Sequence, residues 1–257
     1  GLAISGGVDS SILMAMVRES GQDSKKIKAF TYTCGDDRYD EIPWVRKLMA
    51  QQAHPWYISE TKCGLIPDLI IQVCLNQEEP FGGFNTLCLS ELCRLAQHEK
   101  VKVLLDGNGL DEQWAGYEYY SKLDWTTEEF VRGPIQSSKS NPFRPSCLTI
   151  EFREKAETLD FPRPFSSMID NLRYRDLIYT KIPRAMRFAD RASMMHSREL
   201  RIPFLDHRLV EYSFKVAPSN LISNGQHKYL LRRMAKALIP ESTPPTPIIL
   251  ILFFKFL

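Results

Sequence analysis

The chain has 257 residues and a mass of 29.7 kDa, with 44% apolar and 25% charged residues. That is ordinary globular composition for one large or two small domains, and it excludes a disordered tail, a collagen-like fibre and a disulfide miniprotein. Thirty-three Lys and Arg against 31 Asp and Glu leave a formal charge of +2. No net field holds a nucleic-acid backbone or an anionic membrane, so neither is an expected partner. The six cysteines, at 34, 63, 74, 88, 93 and 147, form no Cys-x-x-Cys pair. They are expected to be free thiols of a reduced, cytoplasmic chain without structural zinc.

In chain order, Leu2-Ala3-Ile4 reads as the end of a buried strand with no basic leader before it. Ile12, Leu13, Met16 and Val17 then mark one face of a helix that stops at Gly21. Ile27 to Thr33 alternates as a strand, Ile42, Val45, Leu48 and Met49 form a helical stripe, and Trp56-Tyr57-Ile58 is a further strand. Ile66, Leu69, Ile70 and Val73, then Leu89, Leu92, Cys93 and Ala96, predict two more helices before the apolar strand Val101 to Leu105. Repeated βα units argue for a parallel sheet flanked by helices, over residues 1–120.

From about Ser121 the character changes. Gly133, Pro134, Ser137 to Ser140, Pro142, Pro145, Pro162 and Pro164 predict an irregular connection over 121–165. Residues 166–242 read as helical, with stripes at Leu209, Val210, Ser213 and Phe214 and at Leu230, Leu231, Met234, Ala235 and Leu238. Residues 243–257 are an atypical tail in which Pro244-Pro245-Thr246-Pro247 precedes an apolar run too short to span a bilayer.

Chemistry concentrates in three blocks. Ser5-Gly6-Gly7-Val8-Asp9-Ser10-Ser11 follows the first strand and opens the first helix. There, free backbone N–H groups and the positive helix end suit phosphate oxygens, and the two glycines admit a close approach. The Lys of a Walker loop is absent. Asp9 is out of place in an anion cradle unless a divalent cation lies between it and the phosphates, which implies Mg²⁺. The second block, Asp106-Gly107-Asn108-Gly109-Leu110-Asp111-Glu112, follows a strand and can face the same crevice, its carboxylates completing a metal site with Asp9; a capped glycine turn is the alternative. The third, Asp190 to Arg208, reads as a turn tied down by buried or half-buried ion pairs.

The first block matches the S-G-G-x-D-S pattern of the PP-loop ATP pyrophosphatase superfamily. The three blocks in this order resemble the synthetase domain of glutamine-hydrolysing asparagine synthetases, from Gly1 to about Ser242, with Ser197-x-Glu199-x-Arg201-x-Pro203-Phe204-Leu205-Asp206 close to that family's S-x-E-x-R-x-P-F-L-D signature. The resemblance implies an α/β PP-loop sheet with a helical C-terminal half, and an ATP-dependent amide ligase. It implies that Ser5, Gly6, Gly7, Asp9 and Ser10 bind pyrophosphate, that Asp9 and Asp111 hold Mg²⁺, and that Tyr32, Asp106 and Gly107 line the nucleotide pocket. It also makes Glu199, Asn108 and Lys228, the last in a K-x-x-L-R pattern, candidate catalytic residues. The plainer reading of Lys228 is a solvated helix face, since Lys228, Arg232 and Lys236 recur every four residues.

Aspartate, ATP and ammonia are the implied substrates. A glutaminase domain or subunit with a first-position cysteine is the implied partner, and Cys34, deep in the chain, cannot fill that role. Two departures stand out. Many relatives carry Glu or Asp where this chain has Asn108, and an amide accepts no proton near neutral pH. The tail after Ser242 also leaves the family pattern. The alternatives are a related adenylating enzyme acting on another carboxylate, such as a β-lactam synthetase, a peptide cyclase or a sugar-modifying amidotransferase, and an inactive fragment.

Overall fold

The computed structural model describes residues 1–36, 40–122, 145–155, 160–236 and 238. Most of the predicted connection, including Gly133, Pro134, Ser137 to Ser140 and Pro142, lies outside the described residues, as does the tail 243–257. The first half runs β1 (Leu2–Ala3), α1 (Val8–Glu19), β2 (Ala29–Thr33), α2 (Ile42–Met49), β3 (Trp56–Glu60), α3 (Ile66–Gln77), α4 (Phe84–His98), β4 (Val103–Leu105) and α5 (Leu110–Gln113). The second runs α6 (Ile150–Glu154), α7 (Met168–Ile178), α8 (Lys181–Met194), β5 (Glu199–Arg201), α9 (His207–Ser213), α10 (Pro218–Leu221), the hairpin β6 (Ile222–Ser223) and β7 (Gln226–His227), and α11 (Tyr229–Ala235). The six cysteines are free thiols. Among the described residues no helix is long and apolar enough to cross a membrane.

The α/β class is as expected: five parallel strands in the order β3-β2-β1-β4-β5. Consecutive strand residues face opposite sides, and β2 shows the result. Ala29 joins a core with Leu2, Met14, Val45 and Leu48, whereas Phe30 joins Leu92, Cys93, Ala96 and Leu104 on the other side. Chain order reverses beside β1, whose neighbours are β2 and β4. The loops leaving the carboxyl ends of β1 and β4 therefore open one crevice between them, the usual ligand position in such sheets.

Three details differ from the sequence reading. The half expected to be helical contributes β5, which pairs with β4 from Glu199↔Val103 to Arg201↔Leu105, and a small antiparallel hairpin. Helix α1 is buried in its first two turns at every position but Asp9 rather than along a stripe, and Met16 emerges 54% exposed. Met234, placed in the apolar stripe of the last helix, is 63% exposed, while Ala235 is buried.

Helix α7 has no apolar stripe because it is buried on several sides, charges included. Arg173, Arg175 and Asp176 are fully buried, with Asp170 and Asn171 nearly so. Burying a charge is costly unless it is paired and its remaining hydrogen-bonding capacity is filled. Arg175 donates to Asp176 Oδ1 through Nε at 2.9 Å and Nη2 at 2.7 Å, and Tyr119 and Tyr120 both donate hydroxyl hydrogens to Asp176 Oδ2. Arg173 donates to Asp170 at 2.6 Å, to the Ser213 carbonyl at 2.9 Å and to the Gln113 carbonyl, and lies over the Phe214 ring. One side chain thus ties α7 to the end of α5, which carries the second loop of the crevice, and to α9. Replacing Arg173 by Ala strands the Asp170 charge and two buried carbonyls, and a loss of ~3–5 kcal/mol is expected. Urea unfolding of the variant against the parent chain measures it.

Candidate active site

Hydroxyls shape the β1–α1 loop from within. Ser10 Oγ donates to the Ser5 carbonyl at 2.8 Å and lies 3.1 Å from Ser5 Oγ, and Ser11 Oγ donates to the Gly7 carbonyl at 2.8 Å. Ser10 and Ser11 are buried, so their hydroxyls hold the turn instead of standing open to a ligand. The Gly6 N–H donates to Glu41 Oε2 at 3.2 Å. Glu41 is 7% exposed and precedes α2, at the same end of the sheet. A carboxylate thus rests on a backbone donor that suits a phosphate oxygen. Nothing in the periodicity of residues 36–49 marks Glu41; its one signal is an acid immediately before a proline-containing helix start.

The β4–α5 loop packs directly on this turn. A Cβ on Gly107 would stand 3.1 Å from the Ser10 nitrogen and 3.2 Å from the Asp9 carbonyl carbon, so glycine lets the two loops touch backbone to backbone. Asp106 Oδ1 accepts from the Asn108 N–H at 2.8 Å, while the Asn108 side chain is exposed. Burial raises the Asp106 carboxyl to about 6 against the pull of that N–H. Tyr32, on β2, is pushed well above the ordinary tyrosine value, first by burial and then by charges that include Glu41 and Asp106. Gly107 therefore lies against the turn, with Asp106 beside it in the chain and Tyr32 within electrostatic reach of Asp106 and Glu41.

The centre is Lys228. Its Nζ donates to Asp9 Oδ1 and Oδ2 at 2.7 and 2.6 Å and forms an ion pair with Asp111 Oδ1 at 2.7 Å. The lysine is 3% exposed and precedes α11 in a left-handed conformation at φ 52° and ψ 36°. That backbone turn takes Lys228 off the helix face shared by Arg232 and Lys236, and the solvated-face reading fails for it. Gly116 makes room, since a Cβ there would overlap both Asp111 Oδ1 and Lys228 Cε. Burial lowers the affinity of Lys228 for its proton, but Asp111 and Asp9 more than offset this and hold it above the ordinary lysine value. Burial, with Asp111 adding, raises Asp9 to about 6 against the opposing Lys228 charge. Arg232 adds positive field from the next turn and donates through Nε to the His227 carbonyl at 3.2 Å.

Beside this centre stands a group that sequence reasoning missed. Tyr117 donates to Glu112 Oε1 at 2.7 Å, and the Lys181 ammonium lies 3.8 Å from the centroid of the Tyr117 ring. Burial raises Glu112 to about 7 and lowers Lys181 to about 8. Glu199 sits apart: its carboxylate is half exposed on β5 and accepts from Arg201 Nε at 2.7 Å, and among the described residues it touches neither Asp9, Asp111 nor Lys228. The pairs Glu199–Arg201 and Asp206–Arg208 are exposed, not buried as expected of the third block. The buried pairs lie on α7 instead.

Asp9 and Asp111 fit a divalent cation by the chemistry of their donors. They come from two loops at a phosphate-suited turn, one cation already reaches both, and Mg²⁺ is commonly held by one or two carboxylates together with substrate phosphates. Among the described residues no group of three His, Cys, Asp or Glu side chains forms a metal cage. A prediction follows from Asp106. Its folded value of about 6 lies above its unfolded value of 3.8, so the folded chain loses stability as pH rises between these limits. Asp106→Asn removes that loss. Thermal melts from pH 4.5 to 8 should show the variant gaining on the parent chain up to about pH 7, by about 1–2 kcal/mol, and remaining level above.

The asparagine synthase family model matches residues 1–243. Glutamine-hydrolyzing asparagine synthetases 3 and 1 of Bacillus subtilis (strain 168) are 25% and 22% identical to it, over 93% and 94% of this chain. The glutamine-hydrolyzing asparagine synthetase of Gallus gallus is 48% identical over 91% of the chain. The chain spans 42%, 44% and 35% of the lengths of these three relatives. With the phosphate-suited turn, the paired carboxylates and a family match over nearly its whole length, the chain belongs to the asparagine synthase family.

Proposed function

We propose that these residues form the ATP-dependent amidating part of a ligase that activates the side-chain carboxylate of aspartate and transfers ammonia to it. A carboxylate oxygen attacks the α-phosphorus of ATP, the bond from that phosphorus to the bridging oxygen breaks, and pyrophosphate leaves. Ammonia then attacks the acyl carbon, AMP departs and the nitrogen loses a proton. The observation that carries this reading is the meeting of Asp9, Asp111 and Lys228 at the phosphate-suited turn.

In this reading the N–H groups of Gly6 and Gly7 bind pyrophosphate oxygens, with Glu41 giving up its place on Gly6. Ser5 and Ser10 hold the turn in shape. Tyr32, Asp106 and Gly107 form the wall of the nucleotide pocket. Asp9 and Asp111 would hold Mg²⁺, which would supply positive charge to the phosphate oxygens. Lys228 brings an ammonium to the charge that grows on the leaving group, where a fixed charge in a water-poor site counts most. Asn108 orients by hydrogen bonding and takes no proton. That amide favours a second reading, in which the same adenylation serves a carboxylate other than aspartate.

The family relatives are glutamine-hydrolyzing by name, and this chain spans less than half of each. We infer that glutamine hydrolysis, named in these relatives, belongs to a part of such proteins that these 257 residues do not cover.

Pyrophosphate release with ATP, Mg²⁺, aspartate and ammonium tests the reading. Asp9→Ala should abolish release while circular dichroism stays native. Lys228→Ala should lower kcat by about 10²–10³ with a much smaller change in the KM for ATP, as expected for a charge used mainly in the transition state. An unchanged kcat removes Lys228 from the chemistry. Ammonium should sustain AMP formation by these residues, increasingly as pH rises and more of it is free ammonia, whereas glutamine alone should not.

A further inference from the structure

The Asp9–Asp111–Lys228 centre is arranged as a metal site whose cation is supplied by the chain. Lys228 Nζ contacts both Asp9 oxygens and Asp111 Oδ1 within 2.7 Å, so one positive charge serves two carboxylates. The charge balance is incomplete. Two negative charges, each largely withdrawn from solvent, face one ammonium, with Arg232 adding field from further off. A divalent cation satisfies such a pair better than an ammonium, because it brings twice the charge and accepts oxygen donors from several directions.

The exposures give the direction of approach. The Lys228 side chain is 3% exposed, whereas those of Asp9 and Asp111 are 18% and 20% exposed. Solvent, and any cation in it, meets the carboxylates before the ammonium. Asp111 Oδ1 has no hydrogen-bond partner among the described residues, its one polar contact being the ion pair with Lys228, which leaves a foothold for an incoming ion. The stem of Lys228 is unbranched and flexible, and Gly116 closes one side of it at Cε. A displaced ammonium therefore moves away from Gly116.

We propose that Lys228 is a built-in counter-cation of the Asp9–Asp111 pair that an entering divalent cation displaces, so that metal loading and release of the lysine are a single exchange. The inference rests on Asp9 and Asp111 being the metal ligands. It adds to that reading that the site is held closed by its own lysine and that the ammonium becomes available when the metal arrives. Competition between the two cations weakens metal binding in the absence of nucleotide.

Mn²⁺ binding without nucleotide, followed by the electron paramagnetic resonance signal of the free ion, tests it on the 257-residue chain. Lys228→Met should bind Mn²⁺ at least tenfold more tightly than the parent chain, and Mn²⁺ should raise its melting temperature more. The gain should vanish in the double variant Asp9→Asn/Lys228→Met. Equal or weaker binding by a natively folded Lys228→Met overturns the exchange while leaving the metal site in place. No binding by either chain removes the metal site and this inference with it. If Lys228→Met is unfolded in EDTA, refolding on addition of Mn²⁺ supports the proposal, and failure of the metal to restore the fold overturns it.

Discussion

Two carboxylates set side by side and largely withdrawn from solvent repel one another and lose part of their hydration, and the contact of Lys228 with Asp9 and Asp111 is what makes their placement tolerable. Its ammonium, 3% exposed, bridges a residue of the first helix and a residue of α5 from a position next to α11. Without that charge the two carboxylates would face each other uncompensated until another cation enters, beside the point where Gly107 lets the backbones of the β1–α1 and β4–α5 loops meet. The site is therefore assembled by electrostatics between remote segments, on a platform that the parallel sheet provides.

The platform needs its own support, and it comes from an unusual quarter. Helix α7 carries fully buried arginines and an aspartate where an apolar stripe would be expected. Arg173 reaches the Gln113 and Ser213 carbonyls, and Asp176 gathers Arg175, Tyr119, Tyr120 and Thr180. Hydrophobic packing alone would fix α7 against the core but would not orient the end of α5. Directed, charge-assisted hydrogen bonds do, at the cost of making each member hard to replace.

The same logic accounts for the raised carboxyls. Asp9, Asp106 and Glu112 are all pushed upward, with burial the largest cause in each. A site that tolerates three such acids is prepared for added positive charge. Glu41 on the Gly6 N–H is the mirror image, a negative group resting where a phosphate oxygen is suited. The crevice thus carries internal partners of both signs, Lys228 for the two aspartates and Glu41 for the Gly6 N–H.

The residues by themselves determined the parallel βα units, the glycine turn after the first strand, the second acidic loop and the family, because each is a local pattern of spacing and residue type. Asp9 was marked by its place in the phosphate-suited turn and the second acidic block as a possible complement to it, whereas the pairing with Asp111 in particular came from the family resemblance. Lys228 was marked by its K-x-x-L-R pattern yet remained open to a solvated-face reading, since periodicity alone continues through Arg232 and Lys236. Only the folded chain decided it: a left-handed turn at Lys228 takes it off that face and brings its ammonium to Asp9, 219 residues away. Glu41, the Glu112–Tyr117–Lys181 group and the charges of α7 were silent for the same reason, as was the exposure of Glu199. Local periodicity reports which face of an element is apolar, whereas the pairing and burial of charges depend on distances between segments that only tertiary packing sets.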